Sequence, residues 1–161
     1  MNFGEAVKTC FRKYFDFSGR AMRSEYWWFY LFTILGSIVL SIVDLLVFGA
    51  EAADSFSPLS SLFSLAVLLP TLAVAARRLH DTNRSGWWQL MPIAPLLLLL
   101  LAIPGLVNGG SMFSVGILIL AVLAMLGLGI LLIVWLATRG VEGPNRFGDD
   151  PMGETLADTF S

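Results

Sequence analysis

The sequence predicts an all-α integral membrane protein with four transmembrane helices, both termini in the cytoplasm, and an amphipathic helix at the N-terminus. Of its 161 residues, 57% are hydrophobic and only 14% are charged, whereas a soluble domain has about 45–50% apolar and about 25% charged residues. All ten Lys and Arg residues also lie outside four long apolar segments. Together the composition and the charge distribution indicate a domain whose solvent is lipid.

The first predicted element is a helix over residues 3–15. Its aromatic residues share one face and its basic residues occupy the opposite face. Such a helix either lies in the membrane interface or packs on the cytoplasmic surface of the protein itself. Gly19 permits a turn after it, so residues 1–19 form one N-terminal segment, which does not have the pattern of a cleaved signal peptide.

A membrane span needs roughly 20 mostly apolar residues, and four segments within residues 20–139 meet this requirement. They are residues 26–48, 58–76, 87–106 and 112–137. Pro70 should bend the second span, and three further prolines interrupt the third. Neighbouring groups must satisfy the carbonyls that a proline frees, so we expect the third span to be bent and packed against protein.

The orientation of the spans follows from their basic flanks. Five Lys or Arg residues precede the first span, three lie between the second and third, and two follow the fourth. The other two connections contain none, which places both termini in the cytoplasm. Residues 140–161 form a cytoplasmic tail, and its last ten or so residues, rich in small and acidic side chains, are expected to be disordered.

Cys10 is the only cysteine, which excludes an intramolecular disulfide and a cysteine-based metal site. His80 is the only histidine, and one histidine cannot make a typical zinc site. We therefore expect no metal and no cofactor, and nothing in the sequence indicates nucleic-acid binding.

The stretch "RRLHDTNRSGWW" at residues 77–88 holds most of the polar chemistry between two apolar spans. The first two spans are predicted to be antiparallel neighbours, so Glu25 lies at the depth of Arg77 and Arg78. Asp81 likewise lies near the depth of Arg20 and Arg23. In one interpretation these residues form an interfacial ion-pair lattice that fixes the order of the helices.

In a second interpretation the arginines of this region, with Arg23 and Arg84, bind the phosphate of an anionic lipid, because the guanidinium fork matches phosphate geometry. Catalysis would rest on His80 and Asp81, but adjacent residues rarely point at one another and no nucleophile motif accompanies them. No catalytic residue is assigned.

The tail can join this region, because Asn145 and Arg146 could fold back onto the loop of Asp81 or onto Glu25. The candidate site for a lipid or protein partner therefore combines residues from three segments. It comprises Arg20, Arg23, Glu25, Arg77, Arg78, His80, Asp81, Arg84, Trp87, Asn145 and Arg146.

Asp44 is the only acid inside an apolar run. An intramembrane carboxylate is a functional candidate, for instance as a proton relay. Its distance from the start of the first span is about 27 Å at about 1.5 Å per residue. That depth is near the outer interface, where we expect Asp44 to be exposed at little cost.

Two similar strings, "RSEYWW" at 23–28 and "RSGWW" at 84–88, open the first and third spans. They indicate either a parallel two-plus-two repeat, as in some transporters, or independent use of basic and aromatic residues at cytoplasmic helix starts.

Three motifs occur in order, "FDFSGRAMRSEYWWF", "RRLHDTNRSGWW" and "GPNRFGDDP". With these motifs the chain resembles the bacterial inner-membrane family catalogued as domain of unknown function 805, from about residue 11 to residue 151. The family pattern falls on Gly19, Arg20, Arg23, Glu25, Trp27, Arg77, Arg78, Leu79, His80, Asp81, Ser85, Gly86, Trp87, Asn145, Gly148 and Pro151. The resemblance implies a small multi-span inner-membrane protein and adds no reaction. The chain departs from the family in a longer hydrophobic connection between the third and fourth spans, which argues against assuming a compact bundle there.

From these observations we expect a four-helix membrane bundle that acts as a binding or accessory protein. Its basic cytoplasmic cap would engage an anionic phospholipid, a membrane-protein partner or a second copy of the chain. The alternative is a small transporter or channel, for which the possible repeat, Asp44 and the bent spans are the support.

Overall fold

A computed structural model of the chain describes residues 1–55, 57–107, 109 and 111–153, and only the backbone of residues 50–55. Its regular elements are helices, and no strand occurs among the described residues. They are α1 (Phe3–Arg12), α2 (Arg23–Ser55), α3 (Pro58–Asp81), a 3₁₀ helix (Gly86–Ile93), α4 (Leu96–Val107) and α5 (Met112–Ala137). Within the described part of the chain, four helical segments are long and apolar enough to cross a membrane: Arg23–Gly49, Pro58–Asp81, Gly86–Val107 and Met112–Ala137.

Helix α1 is shorter than the predicted 3–15 and begins with a capping box. The Asn2 side chain accepts a hydrogen bond from the Glu5 backbone N–H, and Glu5 accepts one from the Asn2 N–H, both at 2.9 Å. Ala6 and Cys10 are buried. Phe3 packs edge-on against Trp28 of α2, so α1 lies on the surface of the α2–α3 pair.

Helix α2 packs along α3, and the two approach closely at Gly36. A Cβ atom at this position would overlap the ring of Phe63, whose centroid lies 5.8 Å from that of Phe32. The regular path of α2 ends at Gly49, where a φ of 79° interrupts the helix; glycine adopts this conformation without steric strain.

Asp44 is buried, so the expectation that it is exposed at the outer interface was wrong. Its carboxylate accepts hydrogen bonds from the backbone N–H of Leu59 at 3.1 Å and from the N–H and hydroxyl of Ser60 at 2.9 and 2.8 Å. The first N–H groups of a helix have no intrahelical partner and carry partial positive charge. Asp44 therefore caps α3 across the helix pair.

Pro70 lies inside α3 and has no N–H to donate to the carbonyl of Ala66 four residues earlier. The Tyr14 hydroxyl donates to that carbonyl at 2.6 Å. A side chain from the segment after α1 thus supplies the hydrogen bond that the proline removes.

The third span is broken, as its prolines predict. Ser85 precedes the 3₁₀ helix and accepts a hydrogen bond from the Trp87 N–H at 3.5 Å, and Pro92 lies inside that helix. The α-helical path begins only at Leu96. Helix α4 then packs along α5, where a Cβ atom at Gly105 would overlap Ser114.

The four spans pack mainly as two hairpins, α2–α3 and α4–α5. The 3₁₀ helix packs on both α3 and α5, and α3 itself contacts α5. A buried hydrophobic cluster lies where the hairpins meet. Its members are Cys10, Ala21, Tyr26, Phe29, Val74, Ala75, Leu79 and Leu136.

Candidate functional site

Five ionisable residues are buried together where the two hairpins meet. The exposed fraction is 0% for Arg77 and Arg78, 4% for Glu25 and Asp81, and 7% for Arg20. They come from the segment before α2, the start of α2 and the end of α3. We call these five residues, with the segment 138–153 that covers them, the polar cap.

Arg77 and Glu25 form one ion pair of the polar cap. The Arg77 Nη1 to Glu25 Oε1 distance is 2.6 Å. The Cys10 thiol lies 3.9 Å from the same carboxylate oxygen. Burial, and next the charge of Glu25, raises the pKa of Cys10 to about 12. The thiol is therefore protonated and inert at neutral pH, because the thiolate is the reactive form.

Asp81 is shared by two arginines. Arg20 donates to its Oδ1 from Nε at 2.9 Å, and Arg78 donates to its Oδ2 from Nη1. The expected ion-pair lattice is therefore present, with one partner of each acid as the depth argument predicted: Arg77 for Glu25 and Arg20 for Asp81. Arg78 was placed with Glu25 but pairs with Asp81, and Arg23, which was placed near Asp81, pairs with neither acid.

Backbone carbonyls complete the pairing of these arginines. Arg78 donates to Leu136 at 3.0 Å and to Thr138, which mark the end of α5. Arg20 donates to Gly143 at 2.6 Å and to Val141. The two arginines therefore join the α2–α3 hairpin to α5 and to the segment that follows it.

The segment 138–153 closes over Asp81. A Cβ atom at Gly140 would overlap the Asp81 carboxylate, and the Val141 N–H donates to the Asp81 carbonyl at 2.9 Å. Asp150 accepts from the backbone N–H groups of Met152 and Gly143, each at 2.9 Å. The Met152 N–H, followed by the Gly143 N–H and the Arg20 charge, holds the pKa of the Asp150 carboxyl below its usual range.

Asn145 and Arg146 fold back onto the loop after α3 and not onto Glu25. Asn145 donates to the His80 carbonyl and Arg146 to the Asn83 carbonyl, both at 3.0 Å. The ring of Phe147 stacks on His80 with centroids 4.0 Å apart. The sequence did not single out Phe147 or Gly140, and the glycine-rich composition of the tail was the only signal for such close packing.

His80 does not form the acid–base pair with Asp81 that catalysis would need. Its Nδ1 lies 3.0 Å from the Gly19 carbonyl, and both carboxylate oxygens of Asp81 accept from arginines. Both residues therefore make contacts that hold the structure together, and they do not contact each other as an acid–base pair would.

The remaining candidate arginines differ in whether other residues contact their guanidinium groups. Arg84 lies over the Trp135 ring at 4.5 Å and donates to the Thr82 carbonyl, while Trp88 packs edge-on against the same ring. Arg23 is exposed and makes no hydrogen bond or ion pair with the described residues. Trp87 is also exposed, at the start of the 3₁₀ helix.

A groove of about 510 Å³ begins at Arg23. It lies between the start of α2 and the end of α5, and Ser24, Trp27, Trp28, Leu31 and Ala137 complete its lining. A neighbouring cavity of about 330 Å³ also contains Arg23, with Arg139 and Asp150 on its walls.

A family of proteins of unknown function (DUF805) matches this chain over residues 14–149. Inner membrane protein YhaI of Escherichia coli (strain K12) is 37% identical over 142 residues, which cover 87% of this chain and 89% of YhaI. Inner membrane protein YhaH of the same strain is 34% identical over 140 residues, covering 87% and 90%. Uncharacterized protein YiiR is 31% identical over 140 residues, covering 84% and 86%. No solved structure matches the chain.

Proposed function

This chain belongs to the DUF805 family of membrane proteins, and we propose that it is a binding or accessory protein of the bacterial inner membrane. In this proposal both termini and the polar cap face the cytoplasm, and α1 lies at the membrane interface. The groove that begins at Arg23 binds the headgroup of an anionic phospholipid.

The distribution of basic residues supports this orientation. All ten Lys and Arg residues lie before the first span, between the second and third, or after the fourth. Cytoplasmic loops of membrane proteins carry this excess of positive charge. The high amphipathicity of α1, whose Lys8 and Arg12 are exposed, suits a helix at the surface of an anionic leaflet.

The single observation that carries the lipid proposal is the free guanidinium of Arg23 at the head of its groove. Residues four apart on a helix share a face, so Arg23, Trp27 and Leu31 follow one another along α2. A cation, an aromatic ring at interface depth and an aliphatic side chain match the order of phosphate, ester region and acyl chain in a phospholipid.

Arg23 adds a positive charge that the polar cap does not balance. Within the cap, five arginines match five carboxylates, and Arg20 lies near Asp150 as well as Asp81, so Arg23 is left without an acidic partner among the described residues.

Arg20, Arg78 and Arg84 donate hydrogen bonds within the protein, and the two Arg77 nitrogens that lack a partner, Nε and Nη2, are buried. These arginines would attract a phosphate only through their field. Arg23 is the residue with N–H groups available for a bidentate contact.

The test is native mass spectrometry of the protein in mild detergent supplied with phosphatidylglycerol and phosphatidylethanolamine. We expect the unmodified protein to retain phosphatidylglycerol and Arg23→Ala to lose about tenfold or more of that affinity, since a hydrogen bond to a charged group is worth roughly 1.5–3 kcal/mol. The comparison variant is Arg12→Ala, which removes an exposed arginine of α1 outside the groove and should weaken phosphatidylglycerol retention less than Arg23→Ala does.

Arg23→Ala should unfold at the same temperature as the unmodified protein, because Arg23 has no partner among the described residues. Equal phosphatidylglycerol retention in all three proteins would contradict the proposal. A membrane protein that co-purifies in an Arg23-dependent way without retained lipid would instead favour a protein partner for the same surface.

A further inference from the structure

A second cavity, of about 550 Å³, lies away from Arg23, between the segment before α2, the end of α3, the 3₁₀ helix and Phe147. Its volume falls within the range of about 300–1,000 Å³ that is typical of small-molecule sites. Phe17, His80, Ser85, Trp87, Gln89 and Phe147 contribute its larger and polar walls.

The walls of this cavity are aromatic and uncharged. Three of the lining residues are Phe or Trp, and no Asp, Glu, Lys or Arg is among the described residues that line it. An ion that entered would lose its hydration without gaining a counter-charge. The lining therefore favours a flat, neutral molecule and separates this site from the groove of Arg23.

His80 contributes a hydrogen-bond acceptor. A carbonyl oxygen can only accept, so the contact between His80 Nδ1 and the Gly19 carbonyl places the ring proton on Nδ1. In the neutral ring, Nε2 then carries a free lone pair. Nε2 is 3.4 Å from where a Cβ atom of Gly86 would lie, so it faces a lining residue that has no side chain.

Gln89 contributes a second acceptor. Its Oε1 is buried and has no hydrogen-bond partner in the described part of the chain. A buried polar atom without a partner destabilises the protein, and a donor that reaches it recovers that loss. Two unsatisfied acceptors and no charged side chain therefore distinguish this cavity from an ordinary packing defect.

We propose that this cavity binds an uncharged, flat ring that carries an N–H or O–H donor. The ring packs among Phe17, Trp87 and Phe147, and its donor hydrogen-bonds to His80 Nε2 or to the Gln89 amide. Two sources supply this chemistry: a quinol dissolved in the membrane, or a neutral heterocycle such as an indole from the cytosol.

The first experiment compares indole with N-methylindole, which has the same ring system without the donor. Binding to the protein in nanodiscs is measured by saturation-transfer NMR, with empty nanodiscs as the reference. We expect saturable indole binding and about tenfold weaker binding of N-methylindole, as the loss of a hydrogen bond predicts. Identical behaviour of the two probes, or no excess over empty nanodiscs, would overturn the proposal.

A variant then assigns the contact to Gln89. Gln89→Leu keeps the shape of the side chain and removes the amide, so indole should bind about tenfold less tightly and N-methylindole unchanged. Leu90→Ala, at an exposed neighbour outside the cavity, is the matched control and should bind both probes as the unmodified protein does. If Gln89→Leu still bound indole more tightly than N-methylindole by the same factor, the Gln89 amide would not be the group that accepts the ligand's hydrogen bond.

Native mass spectrometry of protein extracted directly from bacterial membranes distinguishes the two sources. A retained isoprenoid quinol, or the quinone that air oxidation makes from it during extraction, would assign the cavity to a membrane ligand. Protein that carries no such mass but still prefers indole to N-methylindole would assign it to a soluble ring. Neither outcome depends on Arg23, so this site and the lipid groove succeed or fail separately.

Discussion

The two hairpins of this protein are held together by different interactions. In the α2–α3 hairpin, Asp44 caps α3 and Glu25 pairs with Arg77, so polar bonds join the helices near both ends. In the α4–α5 hairpin, no residue within the two helices is ionisable, and Gly105 packs so closely on Ser114 that a Cβ atom there would overlap it.

The difference shows the two means by which helices associate when lipid replaces water as the solvent. Apolar surface gives little driving force there, so helices associate through polar contacts or through small residues that allow close packing. The first hairpin uses mainly polar contacts and the second mainly small residues. The junction between them uses Arg78 and Arg20, whose donors end on carbonyls of α5 and of the segment after it.

The largest expected effect comes from breaking that junction with Asp81→Ala. The change leaves Arg20 and Arg78 buried without their shared carboxylate. Removing one partner of a buried ion pair costs about 3–5 kcal/mol, so the free energy of unfolding in detergent should fall by about that amount.

Asp149→Ala is the matched control, because Asp149 is exposed and outside the polar cap's ion pairs. It should leave the stability unchanged within measurement. Equal stabilities of the two variants would mean that the junction does not depend on the Asp81 carboxylate.

The sequence predicted the contacts that depend on depth alone. Antiparallel spans of known length bring Glu25 level with Arg77, and Asp81 level with Arg20, whichever way the helices rotate. It could not predict the burial of Asp44, because that depends on where α3 begins beside α2. Nor could it identify the carbonyls of Leu136 and Thr138 as partners, since every residue carries a carbonyl and only the packing selects among them.

The packing of the second hairpin could not be predicted for a related reason. Hydropathy identifies segments that can span the membrane, but α4 and α5 are apolar on all sides, so their sequences do not specify which face meets a neighbour. Small residues such as Gly105 determine which face packs against a neighbour, and their role is visible only once the helices are placed.

Gly105→Ala tests the second hairpin and should have an intermediate effect. The added methyl group overlaps the Ser114 side chain, and overpacking of this kind costs about 1–3 kcal/mol. The free energy of unfolding of the whole chain should fall by that amount. Indole and phosphatidylglycerol binding should be unchanged, because neither proposed site includes this contact.

Gly127→Ala is the control for Gly105→Ala, because a Cβ atom at Gly127 meets nothing within 4 Å. Alanine is a better helix former than glycine by about 1 kcal/mol, so this variant should be neutral or more stable. If both glycine variants lowered the stability equally, close packing at Gly105 would not be what holds α4 to α5.

The smallest effect, and the most specific, concerns the bond between Tyr14 and α3. Tyr14→Phe removes the hydroxyl that donates to the Ala66 carbonyl, and the loss of one such hydrogen bond costs about 0.5–1.5 kcal/mol. Tyr30→Phe, at an exposed tyrosine of α2, is the control and should change the free energy of unfolding by less.

A double-mutant cycle tests whether the Tyr14 hydroxyl compensates for the hydrogen bond that Pro70 removes. In a Pro70→Ala background, the backbone N–H of the new alanine can donate to the Ala66 carbonyl, so that carbonyl no longer depends on Tyr14. The cost of Tyr14→Phe should then shrink towards zero, and the difference between the two backgrounds measures the coupling. An equal cost in both backgrounds would show that the hydroxyl stabilises the first hairpin by some contact other than the carbonyl that the proline frees.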